Sequence, residues 1–245
     1  MTSHDNAPGA SAGPAATASA KLLDFETRNV GENAHYAMIW LHGLGADGYD
    51  FVPVAQAMPQ FNGLGARYYF PHAPMRPVTI NNGMVMRAWY DILGFDLRRD
   101  EDRNGIAQSL QQVEALRDHI AADGIPHERQ ILAGFSQGGV IALRSGLGSP
   151  RPPLAVLGLS CYLADPEGIE QWKSAAASRI PVFMGHGSQD PVVPMPLGQQ
   201  ARDHLKHAGI SVEWHEYPIP HSVSPQEIVD IDTWVLQQIQ RAAST

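Results

Sequence analysis

Serine and glycine stand at a spacing that can do chemistry in Gly134-Phe135-Ser136-Gln137-Gly138, a G-x-S-x-G pentapeptide between the apolar run QILAGF and a segment of helical period. A serine in a sharp strand-to-helix turn has its Oγ pushed into the open. The flanking glycines follow from the same geometry, because strand and helix then approach too closely for side chains. A hydroxyl is a weak nucleophile at neutral pH, so it needs a histidine base. That base in turn needs an acid that fixes its tautomer and stabilises the imidazolium. The chemistry expected is acyl transfer through a covalent acyl-enzyme.

Both partners should lie downstream, in the chain order serine, acid, histidine, with the acid after a late strand and the histidine before a terminal helix. Asp190 fits the first place, in the loop Gly187-Ser188-Gln189-Asp190-Pro191 after the run Val182 to His186. Asp165, after the preceding strand, is the rival, with helix capping as its plainer role. Among eleven histidines, His221 alone stands in a loop opened by Pro218 and Pro220 and closed by a capped final helix. It is the expected general base. His42 and His186, at strand ends, read as structural, and His204 and His207 as a solvated helix face. No third ligand joins that pair at zinc spacing and HExxH is missing, so no metal site is expected there. The oxyanion of the tetrahedral intermediate needs backbone N–H donors in place beforehand. Gln137, after the nucleophile, and Leu44, in Leu41-His42-Gly43-Leu44-Gly45, are the candidates.

These residues need a frame, and the pattern supplies an α/β one: short apolar runs alternate with segments of helical period, as in a mostly parallel central sheet flanked by helices. Strands are expected at Tyr36 to Leu41, Arg67 to Phe70, Arg129 to Gly134, Leu154 to Ser160, Val182 to His186 and Ser211 to Tyr217. Helices are expected at Phe51 to Met58, Gly105 to Ala122, Gln137 to Leu147, Ile169 to Ala177, Leu197 to Ala208, and from the capping box Ser224-Pro225-Gln226-Glu227 to about Arg241. The stretch from Pro71 to Asn104 is too rich in Pro, Gly and Asn for an ordinary connection and reads as a long functional loop. Only about twenty residues separate the strand ending at Ser160 from the one beginning at Pro181, too few for a cap domain. Hydrolysis without interfacial activation is the corollary.

The 245 residues, 44% hydrophobic, suit one α/β domain over 21–245, preceded by a small-residue tail over 1–20 that reads as disordered. A formal charge of −8 without a basic stripe argues against nucleic acid as a partner. A single cysteine, Cys161, forbids an intramolecular disulfide and fits a reducing cytoplasm. No apolar run reaches the roughly 18 residues of a membrane span, so no stable membrane insertion is expected. The partner expected is a small acyl ester or thioester; a homodimer is left open.

Taken together, LHGLGADGYDF, PHAPMRPVTINNG, AWYD, GFSQGG, HGSQDPVVP and the PHS before the last helix resemble the carboxylesterase and acyl-protein thioesterase family, in its bacterial carboxylesterase branch, over about residues 22 to 240. The resemblance implies an α/β-hydrolase acting on short to medium acyl esters, lysophospholipids or acylated thiols, without cofactor. It carries Ser136, Asp190 and His221 as a triad and the N–H groups of Leu44 and Gln137 as an oxyanion hole. It also places the loop over residues 71–91 beside an acyl groove, with Trp89, Met84 and Met86 as substrate contacts, although these three also suit core packing. Arg87 stands where the family often has proline, and Gly94 to Arg103 is charged; both bear on substrate choice. A non-catalytic binding protein on the same fold is the alternative from another class. Epoxide or haloalkane opening, which needs an aspartate nucleophile, is excluded by the serine at 136.

Overall fold

Apolar runs that do not alternate demand cover on both faces of a sheet, and the described residues meet that demand. The computed structural model describes residues 21–31, 33–94 and 101–244. The expected tail over 1–20 and residues 95–100 of the charged stretch lie outside these. In chain order the strands are β1 Phe25–Val30, β2 Tyr36–Leu41, β3 Ala66–Pro71, β4 Met75–Val78, β5 Met84–Arg87, β6 Gln130–Phe135, β7 Ala155–Leu159, β8 Val182–Gly187 and β9 Val212–Tyr217. The helices are α1 Pro59–Asn62, α2 Arg103–Ala122, α3 Gln137–Gly148, α4 Ile169–Trp172, α5 Met195–His207 and α6 Pro225–Ala243. Seven strands form one sheet in the order β1-β3-β2-β6-β7-β8-β9, parallel throughout except for β1.

Alternate residues of each central strand enter two separate cores. Ile39 and Leu132 pack with Val113, Leu116 and Val140 under α2 and α3, while Trp40, Ile131 and Phe183 pack with Ile231, Trp234 and Val235 under α6. The chain runs outward from β2 to β3 in one direction, then from β6 through β9 in the other, so the sheet reverses between β2 and β6. Parallel sheets bind ligands at that reversal, beyond the carboxyl ends of the strands. The register pairs Leu41 with Gly134, which sets the loop after β2 directly beside the turn after β6.

Four expectations from the pattern change. The helix expected over Phe51 to Met58 is a 3-10 helix, Gly48–Gln56, because Pro53 inside it cannot donate to an α-helical ladder. The helix expected over Ile169 to Ala177 is only the single turn α4, followed by a 3-10 turn Ala177–Arg179. Lys173 turns extended and Ser174 N–H leaves to bond Leu147 O at 2.8 Å. The loop after Pro71 contains a hairpin, β4 paired with β5, turned by Asn82 and Gly83 with φ of 56° and 73°. β1, whose face is largely polar, carries no apolar signal, as suits an edge strand. Among the described residues no helix is long and apolar enough to cross a membrane.

Candidate active site

At the end of β6 the chain enters α3 through Ser136, whose φ of 55° and ψ of −121° lie in a region that non-glycine residues rarely occupy. Two close approaches force this turn. A Cβ on Gly134 would lie 2.2 Å from Gly138 O, and one on Gly138 would lie 2.2 Å from Leu41 O, so strand and helix backbones touch. Ser136 N–H is tied to Leu159 O at 2.8 Å, and its carbonyl accepts from Gly139 N–H at 3.0 Å and Val140 N–H at 3.2 Å. The backbone is therefore locked while the side chain faces two cavities.

The loop after β2 is braced from below. Ala73 N–H donates to Nε2 of His42 at 3.0 Å, so the proton of the neutral ring sits on Nδ1 and is donated to Gly43 O at 2.7 Å. Burial pushes the His42 pKa down to about 4, which keeps the ring neutral in this role. Trp89 Nε1–H donates to His42 O at 2.9 Å, and Gly45 N–H to Arg87 O at 2.9 Å. Between these fixed groups Leu44 N–H has no acceptor among the described residues. Gln137 is the first residue of α3, where N–H groups lack an intrahelical partner and the helix dipole favours negative charge. Its side chain reaches back, Oε1 accepting Trp89 N–H at 2.8 Å and Nε2 donating to Tyr90 O at 2.7 Å.

On the other side Asp190 is fully buried at its side chain. Oδ1 accepts from Val192 N–H at 2.8 Å and Val193 N–H at 2.9 Å, and Oδ2 accepts from Nδ1 of His221 at 2.6 Å. That bond puts the imidazole proton on Nδ1 and leaves Nε2 as the basic nitrogen. Phe135 packs on the His221 ring with centroids 4.6 Å apart. The two loops are stitched together: Ser188 N–H bonds Tyr217 O at 2.8 Å and Gln189 N–H bonds Ile219 O at 3.1 Å. His186 is a brace rather than a participant, donating from Nε2 to Val193 O at 2.8 Å, its pKa lowered by burial. The rival acid Asp165 faces Arg144 at 3.9 Å and Arg103 at 4.0 Å instead.

Ser136 opens onto both cavities. The wider, about 530 Å³, also bears His221, Asp50, Phe51 and Phe135. The narrower, about 360 Å³, is walled by Ile80, Tyr90, Ile92, Tyr162 and Val193. Leu44 and Val192 stand between the two. At its wall Tyr90 and Tyr162 share a hydroxyl–hydroxyl bond of 2.8 Å, and burial pushes both phenols' pKa values up, so they stay neutral.

None of the three expected substrate contacts is among the residues lining the two cavities. Trp89 is fully buried and braces the loop after β2 from behind instead of facing a ligand. Met84 is 64% exposed on the hairpin, outside the residues lining either cavity. Met86 is half-buried, its Sδ accepting from Asn81 Nδ2–H at 3.4 Å, and lines neither cavity. The lining residues Ile80, Tyr90 and Val193 carry no individual signal in the sequence, although the motifs PHAPMRPVTINNG, AWYD and HGSQDPVVP contain all three. Among the described residues, Glu114 and Asp118 of α2 and His127 lie close enough together to hold a cation. Arg151 pairs with both of those carboxylates and takes the place an ion would need.

A family model described as Phospholipase/Carboxylesterase matches residues 24–239. The chain belongs to the phospholipase/carboxylesterase family of α/β-hydrolases. Within this family it is 36% identical over 227 residues to acyl-protein thioesterase 1 of Cryptococcus neoformans var. neoformans, covering 85% of this chain and 95% of that one. It is 33% identical over 211 residues to carboxylesterase SOBER1 of Arabidopsis thaliana, covering 85% and 92%. The crystal structure of SOBER1 superposes with a TM-score of 0.78 at 32% identity, covering 84% of this chain and all of that one. Acyl-protein thioesterase 2 of Zea mays gives the same TM-score at 27% identity, covering 88% and 98%.

Proposed function

We propose that this member of the family is a serine hydrolase that cleaves carboxylic esters or thioesters of short to medium acyl chains, with Ser136 as nucleophile. The observation that carries the reading is the bond of 2.6 Å from His221 to buried Asp190, beside a serine held in a strained turn between two cavities. Nε2 of His221 takes the Ser136 proton as Oγ attacks the carbonyl carbon. The oxyanion that forms meets the N–H groups of Leu44 and Gln137, each worth on the order of 10²- to 10³-fold in rate. Collapse breaks the ester or thioester bond, and the imidazolium, stabilised by Asp190, gives its proton to the leaving alcohol or thiol. Water then attacks acyl-Ser136, losing a proton to His221, and the imidazolium returns that proton to Ser136 Oγ as the C–Oγ bond breaks and the carboxylic acid departs.

The two cavities suggest which half of the substrate goes where. The narrow one is walled mostly by aliphatic side chains and neutral phenols, with Asn81 and Gln137 as its polar edge, and suits the acyl chain. At about 30 Å³ for a water-sized group it has room for on the order of a dozen such groups. The wide one suits the leaving group. Between β7 and β8 the chain carries only α4 and a 3-10 turn, so hydrolysis should proceed without interfacial activation. A single, buried cysteine suits work in a reducing cytoplasm. The test is labelling by a fluorophosphonate together with turnover of a p-nitrophenyl acyl ester, both lost in Ser136→Ala. A wild-type protein that neither labels nor turns over would make it a binding protein on this fold.

A further inference from the structure

The wide cavity has a chemical bias of its own. Among the described residues that line it, Asp50 brings a carboxylate, and no described lysine or arginine lines either cavity. Asp50 is exposed, and among the described residues its carboxylate makes neither an ion pair nor a hydrogen bond. It stands apart in this from its neighbours: Asp47 accepts Tyr49 N–H at 2.9 Å, and Glu26 faces His72 at 3.7 Å and Arg28 at 4.0 Å. The same cavity is lined by aromatic rings. Phe51 is 5.9 Å from Phe135, which is 4.6 Å from His221, and all three line the cavity. A carboxylate next to aromatic rings attracts a substituted ammonium ion, the rings through their negative faces and the carboxylate through its charge. A polyanionic leaving group meets repulsion from the same carboxylate and from a chain of net charge −8.

We propose that Asp50, with Phe51 and Phe135, is a specificity-determining site for a cationic leaving group, an alcohol or thiol that carries a quaternary or protonated amine a few atoms from the scissile bond. The proposal rests on the reading that the wide cavity receives the leaving group. One charge pair a few ångström apart in water changes an equilibrium by about fivefold, and salt weakens it. The preference should therefore be about three- to tenfold in kcat/KM at low ionic strength.

The experiment compares butyrylthiocholine with its uncharged isostere, the 3,3-dimethylbutyl thioester of butyric acid. The acyl half, the scissile bond and the shape are matched, and only the charge differs. The wild-type protein should favour the choline compound about three- to tenfold at low salt, mainly through KM, and the ratio should shrink towards one in 0.5 M sodium chloride. Asp50→Asn should bring the ratio near one already at low salt. A wild-type ratio of one, a ratio indifferent to salt, or an unchanged ratio in Asp50→Asn overturns the proposal. If the wild-type protein hydrolyses neither thioester, it is the reading as a hydrolase that fails. Turnover of the neutral isostere with no preference for charge removes the Asp50 assignment alone.

Discussion

Replacing Glu227 with glutamine should stabilise the protein by an amount that grows with pH. Glu227 is only 1% exposed, at the third position of α6. One carboxyl oxygen accepts Ser224 N–H at 3.4 Å, while Oε1 is buried with no partner among the described residues. It lies so close to β8 that a Cβ on Gly185 would come within 2.3 Å of it. Burial dominates its titration, opposed by the Ser224 N–H and reinforced by Asp230 on the same helix, and the pKa is pushed from 4.5 up to about 8. Between those values the folded protein holds a proton that the unfolded chain releases. Stability therefore falls by about 1.4 kcal/mol per pH unit across that window, is unaffected below it, and stops falling above it. From pH 5.5 to 8.5 the loss comes to about 3 kcal/mol, an upper figure for a group that water can reach on breathing. Glutamine fills the same space and keeps the capping box but cannot ionise. Other groups titrate alike in both proteins and cancel. At about 2–4 °C per kcal/mol for a chain of this size, the Tm advantage of Glu227→Gln should widen by about 6–12 °C over that range. Parallel curves of Tm against pH would refute the reasoning, because they would mean that the buried carboxyl has the same pKa folded and unfolded.

Asp190→Asn should lower kcat about 10³- to 10⁴-fold, since an amide cannot stabilise the imidazolium, whereas Asp165→Asn should leave steady-state kinetics within a fewfold; the reverse ranking would reassign the acid. Gln137→Ala strips partners from Trp89 N–H and Tyr90 C=O, both buried, and should destabilise by about 2–4 kcal/mol in urea titrations, with activity falling as the loop after β2 loses its brace. Gly138→Ala drives a methyl group into Leu41 O and should lower stability by about 3 kcal/mol and nearly abolish ester hydrolysis. A fully active Gly138→Ala protein would mean that the turn tolerates a wider strand-to-helix spacing.

Local signals decided much of this protein. Tyr36 to Leu41 and Val182 to His186 read as buried strands because residues covered on both sides need no alternation. The turn at Ser136 could be read because its glycines answer a steric demand within five residues. The capping box from Ser224 to Glu227 is likewise local, and it forms as read. Position along the chain also favoured Asp190 over Asp165, but only the folded loops show which carboxylate meets His221, a contact spanning 31 residues. The same holds for Trp89: an indole reads alike whether it walls a groove or braces a loop, and its bond to His42 O across 47 residues decides for the brace. The hairpin of β4 and β5 carries no strand signal in the sequence, because its strands are four residues each, too short for a period, and one holds a proline. The division of the site into two cavities, one apolar and one bearing Asp50, is a property of how five separate loops meet at the sheet reversal. No stretch of sequence carries that information, since each wall comes from a different part of the chain and is brought to its place by the packing of two cores beneath it.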